Sequence, residues 1–290
     1  MFCRALRFFV LCLLFFPLAA AADEQFFDSN GVNLHYIVEG QGEPVVLLHG
    51  FTGNIERHWV ASDILPALAK DYRVIAIDCR GHGQSGKPHD RQQYGLEMIE
   101  DIVRLLDHFQ IPKTHIVGYS MDAHITAKLL TMHPERFLTA TLGGGAGRLR
   151  DADDDRFSDE AAAALEQGKG LAPVIRRLSN PDQPLPTEEQ MQELSQRLLA
   201  NNDVLALAAV MHGMTAWKIE EAQIRADRIP TLAVIGSRDG FRIEVQMLKT
   251  WMPSLEVVVI EDAVHGDAYR RPEFRASLLA FLQAHQQQGL

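Results

Sequence analysis

Cysteine is almost missing from this chain: three in 290 residues, Cys3, Cys12 and Cys79, two of them within the first dozen positions. That set cannot supply a disulfide framework. Positive charge is also scarce. Lys and Arg number 28 against 38 Asp and Glu, a formal net charge of −10. Such a balance argues against a phosphate-backbone binder and against a peripheral binder of anionic membranes. H-E-x-x-H and paired-cysteine spacings are missing too, so no metal site is supported and no cofactor is expected. There is no internal repeat and no low-complexity stretch of consequence. What remains is ordinary: 47% apolar and 23% charged residues, which excludes wholesale disorder, over a length sufficient for one large core.

Residues 1–22 read as a secretory signal peptide. Arg4 and Arg7 give a cationic start, positions 8–18 are apolar, and Ala19 to Ala22 offer small-residue cleavage sites before Asp23 and Glu24. The apolar stretch is short of the roughly 20 residues that a membrane span needs. Cys12 lies inside that stretch, not just after it, which disfavours a lipid anchor. Cleavage leaves Cys79 alone, so the expected mature protein has no intramolecular disulfide and is exported, either periplasmic or secreted.

Beyond residue 23, short β-rich runs alternate with longer amphipathic ones, the pattern of an α/β fold with a mostly parallel β-sheet flanked by helices. Strands are expected at 32–38 (an antiparallel edge), 45–48, 73–77, 114–117, 138–142, 231–235 and 256–260. Helices are expected at 59–68, 95–109, 123–133, 243–251 and 273–284. Between about 148 and 228 the strands vanish and helical patterns take over at 159–167, 188–200 and 203–217. The implied organisation is one core domain, 23–147 and 229–290, carrying a helical cap insertion at 148–228.

Gly118-Tyr119-Ser120-Met121-Asp122 falls between a predicted strand and a predicted helix. A serine on so sharp a turn is lifted above the sheet, where a histidine and a substrate carbonyl can reach it. Its hydroxyl needs a base, and the base needs a group to orient it. Both belong on loops at the carboxyl ends of later strands. Asp239 follows the strand at 231–235 and His265 follows that at 256–260, giving the chain order Ser120, Asp239, His265. Asp262 and Asp267 share the histidine's own loop and read as solvated. His124, on the descending helix, is expected to turn its ring away from the serine. An oxyanion would be met by the backbone N–H groups of Met121, at the helix start, and of Phe51, in the loop after the strand at 45–48. His49 reads as a structural hydrogen-bonder, and the loop at 78–85 as a tight turn tied by internal hydrogen bonds.

Together, H-G-F at 49–51, D-x-R-G-H-G-x-S at 78–85, the elbow at 118–122, G-x-x-D at 236–239 and His265 resemble the capped α/β-hydrolases, a group that includes esterases, epoxide hydrolases, dehalogenases and cofactor-free haloperoxidases. The resemblance implies the α/β-hydrolase fold, with Ser120 as nucleophile, Asp239 as triad acid and His265 as base. Serine in place of aspartate at the nucleophile disfavours epoxide hydrolase and haloalkane dehalogenase chemistry. The expected activity is hydrolysis of a small-molecule carboxylic ester, with an apolar acyl or alcohol part. A perhydrolase using the same triad and a non-catalytic binding protein are the alternatives. Leu205, Val210, Met211, Met214 and Trp217 of the insertion either line an apolar acyl pocket or pack the cap onto the core. One departure stands out. The residue two after the serine is usually small in this family, and here it is Asp122, expected to crowd the helix–strand contact or push its carboxylate outward, and to take up a proton if it is buried unpaired.

Overall fold

The structure, a computed structural model, describes residues 25–149 and 152–286; the signal peptide expected at 1–22 lies outside these residues. In chain order the elements are β1 (Gln25–Ser29), β2 (Val32–Glu39), β3 (Glu43–Leu48), α1 (Ile64–Leu68), β4 (Tyr72–Ile77), α2 (Leu96–His108), β5 (Thr114–Tyr119), α3 (Met121–Met132) and β6 (Phe137–Gly143). Next come α4 (Ala152–Glu166), α5 (Ala172–Leu178), α6 (Glu188–Leu199), α7 (Val204–Gly213) and α8 (Glu221–Ala226). The chain then returns to the sheet with β7 (Thr231–Gly236), α9 (Arg242–Trp251), β8 (Glu256–Ile260) and α10 (Pro272–Ala284).

The eight strands form one sheet in the order β1-β2-β4-β3-β5-β6-β7-β8. β1 and β2 pair antiparallel, as do β2 and β4, and every other pairing is parallel. The strand expected at an edge, β2, is therefore interior, because β1 covers it. β5 and β7 are buried along their whole length, as continuous apolar runs between two helical layers should be. The pleat sorts the side chains of β3. Val46 and Leu48 join the core under α2 and α3, and Val45 and Leu47 join the opposite core with α1 and α10.

The single helix expected at 59–68 is split. A helical turn at Glu56–Val60 is separated from α1 by Asp63, whose φ of 59° lies in the left-handed region. Helical spacing of apolar residues does not reveal such a break.

Strand order reverses at β3: the chain moves to β4 on one side and then to β5 on the other. At such a reversal the loops leaving two adjacent parallel strands diverge and leave a crevice at their carboxyl ends. Here those loops begin at His49 and Ser120. Between β6 and β7 the described residues hold helices and no strand of the sheet. This segment begins and ends close together, with a bridge pairing Arg148 and Lys218. It is anchored to the sheet layer by the Trp217 indole N–H, which donates to Gly95 O at 2.9 Å.

The loop after β4 is pinned from outside itself as well as by its own hydrogen bonds. The Arg80 guanidinium is buried and donates to both Asp101 carboxylate oxygens, at 2.9 and 2.6 Å, and to Ser29 O at 3.1 Å. One cation thus joins β1, the β4 loop and α2. Removing one partner of a buried ion pair leaves the other charge uncompensated. Asp101→Ala is accordingly expected to cost about 3–5 kcal/mol of unfolding free energy, read by urea denaturation. Asp101→Asn, which keeps an acceptor, should cost less.

Candidate active site

Ser120 sits between the last residue of β5 and the first of α3 at φ 57° and ψ −113°, a conformation rarely adopted by a side-chain-bearing residue. Two contacts hold it there. Its N–H donates to Gly143 O of β6 at 2.7 Å, and its own carbonyl accepts from Ala123 N–H at 3.0 Å. The turn is so tight that a Cβ at Gly118 would lie 2.1 Å from the Asp122 carbonyl oxygen. Glycine there is a steric requirement.

The Ser120 hydroxyl lies 2.7 Å from His265 Nε2, and His265 Nδ1 lies 2.9 Å from Asp239 Oδ2. Asp239 is fully buried, and its second oxygen accepts the Phe241 N–H at 2.9 Å. The three residues named from the sequence are therefore joined in one hydrogen-bonded line. A buried carboxylate beside Nδ1 favours the tautomer with its proton there, which leaves Nε2 free to take the serine proton. Asp262 and Asp267 do not join this line. Asp262 pairs with Arg238, and Asp267 accepts the Val264 N–H and pairs with Arg271.

Phe51 and Met121 both border the cavity in front of Ser120. Met121 opens α3, where N–H groups lack intrahelical acceptors. The Phe51 loop presses against the serine: a Cβ at Gly50 would lie 3.1 Å from Ser120 Cβ. The cavity measures about 430 Å³. Its floor comes from the sheet loops, and its far wall from the helical insertion through residues such as Phe157, Leu171, Ile175 and Leu194. Of the five insertion residues considered from sequence, Met211 and Met214 line the cavity. Val210 and Trp217 are buried in packing, and Leu205 is exposed. Among the described residues, no group of three or more His, Cys, Asp or Glu could hold a metal ion.

Two expectations change in the structure, and two residues join the site unannounced. His124 borders the cavity together with Ser120. It stands four positions on along a helix that starts at the serine, and i and i+4 share a helical face, so the spacing itself carried the signal. Asp122 does not point outward; it is fully buried. His58 and Tyr119 belong to the surroundings of the site, although neither was singled out in the sequence. The Tyr119 hydroxyl donates to His265 O at 2.6 Å, fixing the histidine loop. Only the folded chain brings His58 to Ser120 and the Tyr119 hydroxyl to the histidine loop, because these partners lie far apart in sequence.

The description of the alpha/beta hydrolase fold attaches to a family model that matches residues 43–272. The chain belongs to this family. Relatives are diverse. The dihydrolipoyllysine-residue acetyltransferase component of the acetoin cleaving system of Pseudomonas putida is 28% identical over 84% of this chain, and the alignment spans 64% of that longer protein. A solved structure from work on carboxylesterases of the thaumarchaeon Nitrososphaera gargenis superposes with a TM-score of 0.72 at 23% identity, covering 90% of this chain and 98% of that one. Est816, described as an N-acyl homoserine lactone degrading enzyme, superposes at 0.69 with 25% identity, covering 89% of this chain and 100% of its own.

In this alpha/beta hydrolase the imidazoles around the site are kept neutral. Burial lowers His124 to about 3, helped by the nearby Arg148 and Arg177 charges. Burial likewise lowers His82 to about 3, with His49 adding to the effect. In an unfolded chain both would titrate near pH 6.5. Their folded values are depressed, so the stability they contribute is complete above that pH and is lost as pH falls toward about 3. Urea denaturation at a series of pH values should therefore show unfolding free energy falling with acid between these limits. His124→Gln should remove roughly one proton, about 1.4 kcal/mol per pH unit, from that slope.

Proposed function

We propose that this protein is a serine hydrolase acting on carboxylic esters. One observation carries the reading: the continuous hydrogen-bonded line Ser120–His265–Asp239 at 2.7 and 2.9 Å, with its serine on a strained turn facing a largely apolar cavity. In this mechanism His265 Nε2 takes the Ser120 proton as the hydroxyl oxygen attacks the ester carbonyl. Asp239 orients the imidazole and stabilises its positive charge. The backbone N–H groups of Met121 and Phe51 meet the oxyanion of the tetrahedral intermediate. His265 then returns the proton to the leaving alcohol, and a water activated by the same imidazole hydrolyses the acyl-enzyme.

The cavity wall supports a substrate with an apolar acyl or alcohol part, because its side chains offer area and few polar partners. Residues 148–228 act in this reading as the cap that closes the site. The pattern at 1–22 supports export, with the mature enzyme in the periplasm or secreted. Burial of Asp122 leaves the Ser120–His265 contact at hydrogen-bond length, which favours an active enzyme over a silent binding protein.

The decisive measurement is intact-mass analysis of residues 23–290 after exposure to a fluorophosphonate. A single adduct is expected on the unaltered chain and none on Ser120→Ala. On p-nitrophenyl butyrate, Ser120→Ala and His265→Ala should each lower kcat by about 10⁴-fold or more, and Asp239→Asn by about 10⁴-fold. An adduct that persists in Ser120→Ala would overturn the assignment.

A further inference from the structure

Asp122 follows the proposed nucleophile by two residues and has no exposed surface. Its Oδ2 lies 2.8 Å from Cys79 Sγ, and its Oδ1 has no hydrogen-bond partner among the described residues. Among the described residues no cation is paired with it. Burial pushes this carboxyl well above the usual carboxylate range, against the weaker opposing pull of the Cys79 hydrogen bond. The Cys79 thiol is pushed up in turn, by burial first and by Asp122 next. Burial thus favours the protonated form of both groups, which lessens the cost of burying an unpaired charge.

The contact does not end at Cys79. The Cys79 backbone N–H donates to His49 Nε2 at 3.1 Å, and His49 Nδ1–H donates to Gly50 O at 2.9 Å. These roles fix the tautomer of His49, and burial keeps the ring neutral. Cys79 is also next to Asp78, whose carboxylate accepts the Ile55 N–H at 2.8 Å and so braces the far side of the same loop. A continuous chain of contacts therefore runs from the start of α3, through the loop after β4, to the turn that presents the Phe51 N–H.

We propose that Asp122 is a positioning residue: by accepting the Cys79 thiol, its carboxyl clamps the start of α3 to the β4 loop and thereby sets the separation of the Met121 and Phe51 N–H groups. The inference rests on the hydrolase reading, since it concerns donors for that reaction's oxyanion. In this light the acid at a position usually occupied by a small residue is a built part of the elbow. Donors aimed at a developing oxyanion lose much of their effect when displaced by a fraction of an ångström.

The test compares the unaltered enzyme with Asp122→Asn, Asp122→Ala and Cys79→Ala on p-nitrophenyl butyrate, each variant checked for folding by thermal denaturation. Asp122→Asn retains a neutral acceptor for the thiol and should keep kcat within about threefold. Asp122→Ala and Cys79→Ala should each lower kcat by about 10- to 100-fold with KM changed no more than about twofold, as expected for loss of stabilisation made only in the transition state. The double variant should be no slower than either single one, because both remove the same contact. Infrared difference spectra should contain a protonated-carboxyl C=O band that Asp122→Asn abolishes, a readout independent of turnover. Folded Asp122→Ala or Cys79→Ala with full kcat would overturn the clamp, as would Asp122→Asn falling as far as Asp122→Ala. Each of these results leaves the hydrolase reading standing if the Ser120 adduct forms. Failure of the unaltered enzyme to form that adduct overturns both.

Discussion

The chain has one residue in which to turn from the end of a central strand into a helix, and the rest of the site depends on that turn. Ser120 occupies a left-handed conformation that costs free energy. It persists because its N–H is held by Gly143 on the neighbouring strand and its carbonyl by Ala123. Gly118 makes the turn sterically accessible: any Cβ there would collide with the Asp122 carbonyl and the Thr126 hydroxyl. The strained conformation raises the hydroxyl to hydrogen-bond distance from His265 Nε2.

Around that turn the molecule divides its labour between the sheet and the insertion. Loops at the carboxyl ends of β3, β5, β7 and β8 bring the polar groups, which converge because parallel strands place all these ends on one side. The helices between β6 and β7 bring most of the apolar wall. Neither set encloses a cavity alone. The polar groups are therefore held on loops of the strands, whereas most of the apolar wall is built from a separate helical segment.

Beneath the site, buried polar groups substitute for apolar packing. Arg80 with Asp101, Asp78 with His35 and Ile55 N–H, and Cys79 with Asp122 all radiate from the loop after β4. Low dielectric makes such contacts strong when satisfied and costly when broken. A network of this kind gives the loop few alternative arrangements, which suits a loop that lies beneath the candidate site.

Much of the α/β alternation was legible in residues, because strand and helix periodicities differ and glycine-bearing turns punctuate them. The chain order of Ser120, Asp239 and His265 was legible for the same reason: each follows a readable strand. What the linear pattern could not carry was sidedness and depth. It put β2 at an edge, since β1 is a partner that alternation alone does not reveal. It read 59–68 as one helix, since a single left-handed residue such as Asp63 leaves apolar spacing intact. It left Asp122 between crowding the helix–strand contact and turning outward, since burial of a carboxyl depends on a thiol 43 positions away. By itself, then, the sequence determined most of the elements, the mostly parallel sheet and the three residues that meet. Tertiary structure alone decided the shape of the cavity, the place of His58 beside it and the burial of Asp122 against Cys79, because each follows from long-range packing and the loss of solvent.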